Sequence, residues 1–293
     1  MNKSEAHPGS APLVRDMLKE HQASLTAAER RLTATLLDDS LMSGLQSITR
    51  LAENAEVSTA TIVRLARKLG FDGFSDFQNA MREEVAARVK QPLAKLDPGE
   101  LTGHSDHVLS RFARALSRNI NATLDRLDVA EFDAVTDLLS DPARNIHLIG
   151  GRITRSNANH FFNHLQIIRP GVSLLDASPS VWPQSLLDMN ALTTLVIFDI
   201  RRYEKQLERL SRLVTEQGGN IVLFTDQWGS PIETHAAHTF RTMVEAPSSW
   251  DSTLAINFLV EALIAGIQAR SQSADRIAAL EKMIGAARIF RGS

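Results

Sequence analysis

Five short apolar runs, each separated from the next by a stretch of helical character, most constrain the fold of this 293-residue chain. They lie in its second half, and several are bounded by a glycine or an aspartate. Strands that alternate with helices of about 10–15 residues are typical of βαβ units, whose strands form a parallel sheet. The sequence therefore predicts an α/β domain in this half. The runs occupy residues 146–149, 172–175, 194–198, 221–224 and 239–244.

The preceding part of the chain has short helical patterns and no comparable alternation of strands and helices. Residues 1–12 are rich in proline and poor in apolar side chains, so we expect a disordered tail. Residues 91–106 hold two prolines and two glycines among polar neighbours, a composition typical of a linker. We therefore predict an all-α domain at residues 13–90, followed by a doubly wound, parallel-sheet α/β domain at residues 107–293.

Charge and cysteine content restrict the classes of function. Lysine and arginine total 32 and aspartate and glutamate 34, a net charge of −2, so any contact with DNA must be local. The absence of cysteine excludes disulfides, zinc–thiolate sites and a cysteine nucleophile. The longest apolar stretch, residues 254–267, is interrupted by Asn257 and Glu261 and is too short to cross a bilayer. No hydrophobic run follows the first lysine, so we expect no signal peptide, no membrane partner and a cytoplasmic location.

Hydroxyl side chains mark the predicted helix starts of the first domain. Thr26 and Glu29 have the spacing of a capping box, in which each side chain bonds the backbone amide of the other residue. Ser47 and Ser58 are typical N-caps of two further short helices. A tight turn at residues 56–57 separates these two helices, so the sequence predicts a helix-turn-helix arrangement.

The helix predicted after Ser58 has two unlike faces. At about 100° per residue, Ile62, Leu65 and Leu69 fall on one side, whereas small, hydroxyl and basic side chains fall on the other. No acidic residue occurs between positions 57 and 71, and this combination suits major-groove recognition. The periodicity by itself also allows a solvated helix in an ordinary bundle. The DNA-binding residues that we predict are Ser47, Thr49, Ser58, Thr59, Ala60, Thr61, Arg64, Arg67 and Lys68.

Three segments of this domain carry a family resemblance. They are Ser47-Ile48-Thr49-Arg50-Leu51-Ala52-Glu53, Val57-Ser58-Thr59-Ala60-Thr61-Ile62-Val63-Arg64 and Leu69-Gly70-Phe71-Asp72-Gly73-Phe74-Ser75-Asp76-Phe77. The segments closely resemble the N-terminal domain of the RpiR/MurR family of bacterial transcriptional regulators. This resemblance implies a domain that binds double-stranded operator DNA. In the third segment the glycines provide bends, Gly70 as a left-handed helix stop, and the phenylalanines together with Met81 are predicted core anchors.

Polar residues follow the predicted strands at the edge where open α/β sheets bind their ligands. Arginine binds carboxylate and phosphate with paired hydrogen bonds, so an anionic ligand is favoured there. Two alternatives stay open: the glycine pair forms an ordinary tight turn, or the arginines are held by Asp199 or a partner subunit. The segment that contains Ser249 also has a structural alternative, in which Asp251 or Ser252 is the N-cap of the following long helix. The predicted ligand-binding residues are Gly150, Gly151, Arg152, Thr154, Asp199, Arg201, Arg202, Ser230 and Ser249.

Residues 110–270 resemble a sugar isomerase (SIS) domain, the effector domain of RpiR-type regulators. The resemblance implies binding of phosphorylated sugars and, in many members, dimerisation. Two loops depart from the usual pattern: Phe198-Asp199-Ile200-Arg201-Arg202-Tyr203 stands where Ser-x-Ser-Gly-x-Thr is usual, and Gly150-Gly151-Arg152-Ile153-Thr154 where Gly-x-Gly-x-Ser is usual. Guanidinium groups thus replace part of the hydroxyl cradle, and a sugar acid or other organic anion becomes an alternative ligand.

Two further sets of residues have side chains of the kinds that metal sites and acid–base catalysis use. His160 and His164 have the spacing of two metal ligands, but no nearby acidic cluster offers a third, so we predict no metal site and no cofactor. Glu245 and Glu261 are conceivable isomerase bases, although a fold does not carry a chemistry by itself.

The sequence therefore predicts a transcriptional regulator, and not an enzyme, whose second domain senses a small anionic metabolite. One alternative is a sugar-phosphate isomerase-type enzyme with an accessory helical domain, and another is a scaffold with an empty SIS fold. Because one recognition helix makes few contacts, useful affinity needs two half-sites about 34 Å apart. We therefore predict a homodimer or homotetramer.

Overall fold

The structure is a computed structural model of the chain. It describes residues 13–38, 41–89, 107–271 and 273–288. The chain divides into two compact units, one at residues 1–90 and one at 91–293. The predicted tail and linker lie outside the described residues, so those two predictions stay as predictions.

The described part of the first unit is all helical, as predicted. Its helices are α1 (Val14–Glu20), α2 (Ala27–Asp38), α3 (Ile48–Asn54), α4 (Thr59–Lys68) and α5 (Phe74–Val89), with short 3-10 helices at Gln22–Ser24 and Ser43–Leu45. The helices α3 and α4 form a helix-turn-helix pair, because only residues 55–58 separate them. The turn closes with Glu56 in a left-handed conformation, at φ 50°.

Side-chain caps confirm the predicted helix starts. The Thr26 amide donates to Glu29 Oε2 at 2.8 Å, and the Glu29 amide donates to Thr26 Oγ1 at 3.3 Å, so both halves of the capping box form. Ser47 Oγ accepts from the Arg50 amide at 3.3 Å, and Ser58 Oγ accepts from the Thr61 amide at 3.2 Å. Local sequence therefore sets where α2, α3 and α4 begin.

The end of α4 depends on Gly70, whose φ of 92° few other residues adopt without strain. The Phe71 amide donates to the Ala66 carbonyl and the Gly70 amide to the Arg67 carbonyl, both at 3.0 Å, which is a Schellman stop. The chain then turns Phe77 and Met81 of α5 into the core, where both are fully buried. Phe71 and Phe74 pack against the same cluster, so the predicted core anchors are confirmed.

The second unit contains a five-stranded parallel sheet in the order β2-β1-β3-β4-β5. All five apolar runs form strands. They are β1 (Asn145–Gly150), β2 (Val172–Leu174), β3 (Thr193–Phe198), β4 (Asn220–Asp226) and β5 (His238–Thr242). The helices are α6 (Val108–Leu124), α7 (Val129–Ser140), α8 (Arg155–Ile168), α9 (Trp182–Leu186), α10 (Lys205–Glu216), α11 (Leu254–Arg270) and α12 (Ala274–Ala287). Short 3-10 helices lie at Pro179–Val181 and Pro231–Thr234.

Apolar side chains cover both faces of this sheet, so the doubly wound architecture is confirmed. Alternate residues of β1, β3 and β4 point to opposite faces, as the two-residue period of a strand requires. One face packs against α7, α8 and α11, with Phe161 and Leu259 fully or almost fully buried between them. The other face packs against α9 and α10, with Leu210 almost fully buried. Near-continuous burial explains the unbroken apolar runs in the sequence.

Helix α11 is apolar on most of its surface because it packs against α6, α7 and α8. In the part of the chain that the structure describes, no single helix is long and apolar enough to cross a membrane. Together α11 and α12 pass such a test by length and composition, but they are bent by 107°.

A buried carboxyl group on α5 holds the start of α1 in the helical unit. Glu84 is 8% exposed and accepts hydrogen bonds from the backbone amides of Val14 and Arg15. Its second oxygen, Oε2, is buried without a hydrogen-bond partner among the described residues. Burial raises the pKa of Glu84 to about 7, despite the two amide hydrogen bonds. The folded unit therefore favours the protonated carboxyl.

This raised pKa predicts that the attachment of α1 weakens as pH rises. The stabilising contribution is full below the ordinary pKa of glutamate and is lost as pH rises to about 7. We expect hydrogen exchange of α1 amides, corrected for intrinsic rates, to show a fall in opening free energy of about 2 kcal/mol between pH 5 and pH 8. Glu84→Gln should remove this dependence, whereas Glu83→Gln, at the exposed neighbouring position, should preserve it. An unchanged pH profile in Glu84→Gln contradicts the assignment.

Candidate functional site

Helix α4 has one buried face and one exposed face, as its periodicity predicts. Ile62 and Leu65 are fully buried in the core of the helical unit. Five of the predicted DNA-binding residues of α4 are exposed, and so are three predicted residues at the starts of α3 and α4. The exposed set comprises Thr59, Ala60, Arg64, Arg67 and Lys68 on α4, with Ser47, Thr49 and Ser58 at the helix starts.

Thr61 is buried, unlike the prediction, and Lys68 is exposed but also bonded within the helical unit. Thr61 is 3% exposed, and its hydroxyl bonds Ser58 Oγ at 2.9 Å and accepts from Arg64 at 3.3 Å, so it belongs to the capping network. Lys68 Nζ donates to Glu29 Oε2 at 3.0 Å and to the Ser24 carbonyl at 2.6 Å. Although burial alone would raise the pKa of Glu29, hydrogen bonds from Thr26 and Lys68 hold that pKa below its ordinary value. Lys68 therefore ties α4 to α2.

The crevice of the α/β unit lies where the winding of the sheet reverses, between β1 and its neighbour β3. After β1, the Gly151 amide donates to the Phe198 carbonyl at 3.1 Å and to Thr154 Oγ1 at 3.0 Å. The Thr154 hydroxyl in turn donates to Phe198 at 2.6 Å. Thr154 is 2% exposed, so its predicted role in ligand binding is corrected: the hydroxyl joins the loop to β3. Gly150 and Gly151 form the turn itself.

Asp199 and Ser230 are also directed inward rather than toward the crevice. Ser230 Oγ donates to Asp199 Oδ2 at 2.6 Å, and the Glu204 amide donates to Asp199 Oδ1 at 3.2 Å. Asp199 is 2% exposed and Ser230 is fully buried. Burial raises the pKa of Asp199 to about 6, and the hydrogen bonds from Ser230 and Glu204 oppose that rise. Both predictions of ligand contact are therefore corrected, since this pair connects the loops after β3 and β4.

Arg201 is the centre of a second polar network. Its backbone is left-handed, at φ 58°, and its amide donates to Asp226 Oδ2 at 2.6 Å. Its guanidinium group donates to both oxygens of Asp251, at 2.7 and 3.0 Å, and lies 3.7 Å from the centroid of a Trp228 ring. Glu245 lies 3.9 Å away. An acidic residue therefore holds this arginine, as one alternative expected, but the residue is Asp251 and not Asp199.

Asp226 holds the backbone of this network through hydrogen bonds. It accepts from the Tyr203 hydroxyl at 2.7 Å and from the amides of Trp228 and Gly229 at 3.1 and 3.2 Å. Burial raises its pKa, while these hydrogen bonds and Arg201 act in the opposite direction. Asp226, Tyr203 and Trp228 are not among the predicted ligand residues, and their position at or just after the ends of β3 and β4 is the signal that could have found them.

Three predicted ligand residues outside these networks are accessible to solvent. Arg152 and Arg202 are exposed, and Ser249 is half-buried. The N-cap of α11 is Thr253, so neither Asp251, which pairs with Arg201, nor Ser252 has that role. Ser252 lies one residue before the N-cap position, and its Oγ accepts from the Leu254 amide at 3.2 Å.

The remaining titratable residues form no metal cluster in the described part of the chain. The rings of His160 and His164 lie 4.7 Å apart, and His160 Nε2 lies 3.8 Å from Glu261. His164 Nδ1 bonds the His160 carbonyl at 2.9 Å. Glu261 is thus beside a histidine and Glu245 beside Arg201, and each of the two conceivable isomerase bases has a charged or polar neighbour.

A helix-turn-helix unit combined with an α/β unit that has a ligand crevice defines a class of protein, the one-component transcriptional regulators. The model of the rpiR-family helix-turn-helix domain matches residues 13–88, and the model of the SIS domain matches residues 139–266. The chain belongs to the RpiR family of DNA-binding transcriptional regulators, with an N-terminal helix-turn-helix domain and a C-terminal SIS domain.

Known proteins are similar to the chain over most of its length. An uncharacterized HTH-type transcriptional regulator of Haemophilus influenzae is 24% identical over 215 residues, 73% of this chain and 74% of that protein. The HTH-type transcriptional regulator HexR of Pseudomonas aeruginosa is 26% identical over 234 residues, 75% of this chain and 76% of HexR. The structure of Vibrio vulnificus NanR complexed with ManNAc-6P has a TM-score of 0.56 at 16% identity, covering 94% of this chain and 99% of that one.

The Arg201–Asp251 pair predicts a strong effect of removing one partner. The side chains of these residues are 9% and 14% exposed, so Asp251→Ala leaves a buried guanidinium group without its main partner. We expect the free energy of unfolding of the SIS domain to fall by about 3 kcal/mol. Urea denaturation followed by tryptophan fluorescence measures this domain alone, because all three tryptophans lie in it.

Glu245→Gln is the matched control for that substitution. Glu245 also approaches Arg201, at 3.9 Å, but its side chain is 59% exposed. An exposed ion pair contributes little, so its loss should change the stability by less than about 1 kcal/mol. Equal effects of Asp251→Ala and Glu245→Gln would show that the buried pair does not hold the loop.

Proposed function

We propose that this regulator binds operator DNA through the exposed face of α4 and that its SIS domain senses a small anionic metabolite. The observation that carries the proposal is the exposed face itself, on which Thr59, Ala60, Arg64 and Arg67 meet solvent. Small side chains let a helix approach base edges closely, and guanidinium groups bind guanine or phosphate. The segment between positions 57 and 71 contains no acidic residue that would repel the DNA backbone.

The effector half of the proposal rests on the crevice between β1 and β3. Arg152 and Arg202 are exposed there, and both carry the charge that an anionic ligand needs. NanR, which has a similar fold, was solved with ManNAc-6P, so a phosphorylated sugar is the first ligand class to consider. A sugar acid is the second, because arginines stand where the usual SIS loop has hydroxyl side chains.

Operator binding by a single α4 would be weak, and the net charge of −2 adds little general attraction to DNA. We therefore propose that the protein acts as a homodimer or homotetramer whose recognition helices contact successive turns of the duplex. A metabolite that binds one arrangement of the subunits more tightly would shift the spacing of these helices. Because its partner is DNA, we place the regulator in the cytoplasm.

Substitution of the arginines on α4 tests the DNA interface. We expect Arg64→Ala and Arg67→Ala each to weaken binding about tenfold or more, because each removes a base or phosphate contact. The measurement is fluorescence anisotropy with a labelled duplex selected by the full-length protein from a random pool. Binding should also become less sensitive to salt in each variant when the lost contact is to phosphate.

Two further variants separate DNA contact from other effects. Arg212→Ala, an exposed arginine of α10 in the SIS domain, makes the same change in charge and should leave the affinity within about twofold. Lys68→Ala should mainly lower the stability of the helical domain, because Lys68 holds Glu29. Wild-type affinity in both Arg64→Ala and Arg67→Ala would show that this face does not contact DNA.

A further inference from the structure

A carboxylate of the protein occupies the crevice between β1 and β3. Glu204 lies at the end of the loop after β3, immediately before α10. Its Oε1 accepts a hydrogen bond of 2.7 Å from the backbone amide of Arg152, in the loop after β1. The same oxygen lies so close to Gly151 that a β-carbon there would be only 2.8 Å away. The glycine therefore lets the carboxylate reach across the crevice.

The position of this carboxylate is the one that a ligand anion would take. In a doubly wound sheet, ligands bind where the strand order reverses, against the loops that follow the two central strands. Backbone amides in these loops are the usual donors to anionic groups. Here the Arg152 amide already donates to Glu204, and the neighbouring Gly151 amide donates to Phe198 and Thr154.

The other strong donor of the crevice is occupied in the same manner. The guanidinium group of Arg201 is held by both oxygens of Asp251. The two carboxylates differ in the partner that they would leave, since Asp251 holds the charged guanidinium group of Arg201 whereas Glu204 accepts from a neutral backbone amide. Glu204 can turn into solvent without leaving an unpaired charge inside the protein, and Asp251 cannot release Arg201 so cheaply.

We propose that Glu204 is an internal competitor of the effector, a specificity-determining residue that any incoming anion must displace from the Arg152 amide. This inference rests on the proposed function, in which the crevice binds an anionic metabolite. A ligand whose phosphate or carboxylate takes the Arg152 amide, and whose remaining groups contact Arg152 or Arg202, displaces Glu204. A simple anion gains only the first contact and competes poorly, so the carboxylate discriminates against small anions that lack a sugar-like body.

Removal of the competing charge should raise the affinity of the crevice for inorganic phosphate. We expect Glu204→Ala to bind phosphate at least about tenfold more tightly than the wild type, as judged by isothermal titration calorimetry of the full chain. Glu204→Gln keeps an oxygen that can accept from the Arg152 amide, so its gain should be smaller but still present. Glu208→Gln, one turn further along α10, makes the same change in charge and should bind phosphate as the wild type does.

Three outcomes separate this inference from the proposed function. Tighter phosphate binding by Glu204→Ala, with Glu208→Gln unchanged, supports the competitor. Equal binding by the wild type and both Glu204 variants overturns it, while the crevice remains an anion site. No phosphate binding by any variant also overturns the competitor, because removal of the Glu204 carboxylate then frees no amide that an anion can use. Tryptophan-fluorescence melting of each variant verifies that the SIS domain is folded. Glu204→Asp, whose shorter side chain reaches the amide poorly, provides a third Glu204 variant with an expected intermediate gain.

Discussion

The parallel pairing of β1 with β3 is the constraint on which the SIS domain depends. Six residue pairs, from Asn145 opposite Thr193 to Gly150 opposite Phe198, bring both strands to an end at the same level of the sheet. The chain leaves β1 toward α8 on one face and leaves β3 toward α10 on the other. The two following loops therefore diverge from neighbouring points and enclose a crevice between them. The positions of the side chains around the crevice depend on this register.

Buried carboxyl groups hold the loops around that crevice in place through hydrogen bonds. Asp199 joins the loop after β3 to Ser230, and Asp226 holds the Arg201 backbone together with the Tyr203 hydroxyl. A buried carboxylate is stable when it accepts several hydrogen bonds, whereas burial of a carboxylate oxygen without a hydrogen-bond partner costs free energy of folding. The left-handed backbone of Arg201 is tolerated because Asp226 and Asp251 fix its amide and its side chain. Hydrogen bonds to buried carboxyl groups thus hold the loop that stands in place of the serine-rich SIS pattern.

Sequence reasoning succeeded where structure is decided locally. Capping by Thr26, Ser47 and Ser58 involves neighbours three residues away, and the five apolar runs predicted five strands because buried parallel strands need unbroken apolar sequence. It failed where a polar side chain chooses a distant partner: Lys68 and Glu29 are 39 residues apart, and Arg201 and Asp251 are 50 apart. A helical wheel places a residue on a face, but it does not tell which residue of another element will bond it.

The two kinds of polar residue suggest how the protein divides its tasks. The hydroxyl and carboxyl groups of Thr154, Asp199 and Ser230, which were predicted to touch a ligand, are buried and hold loops together, so their loss would act first on stability. Arg152 and Arg202 in the loops after β1 and β3, and Arg64 and Arg67 on α4, are exposed and are the groups proposed to contact partners, although Arg64 also donates to the Thr61 hydroxyl. Glu204 lies between these classes, because it bonds a loop amide but is only half-buried. In a frame that is otherwise fixed by buried pairs, a side chain of this kind is the element that can change state at low cost, and an effector site needs at least one such element to respond to its ligand.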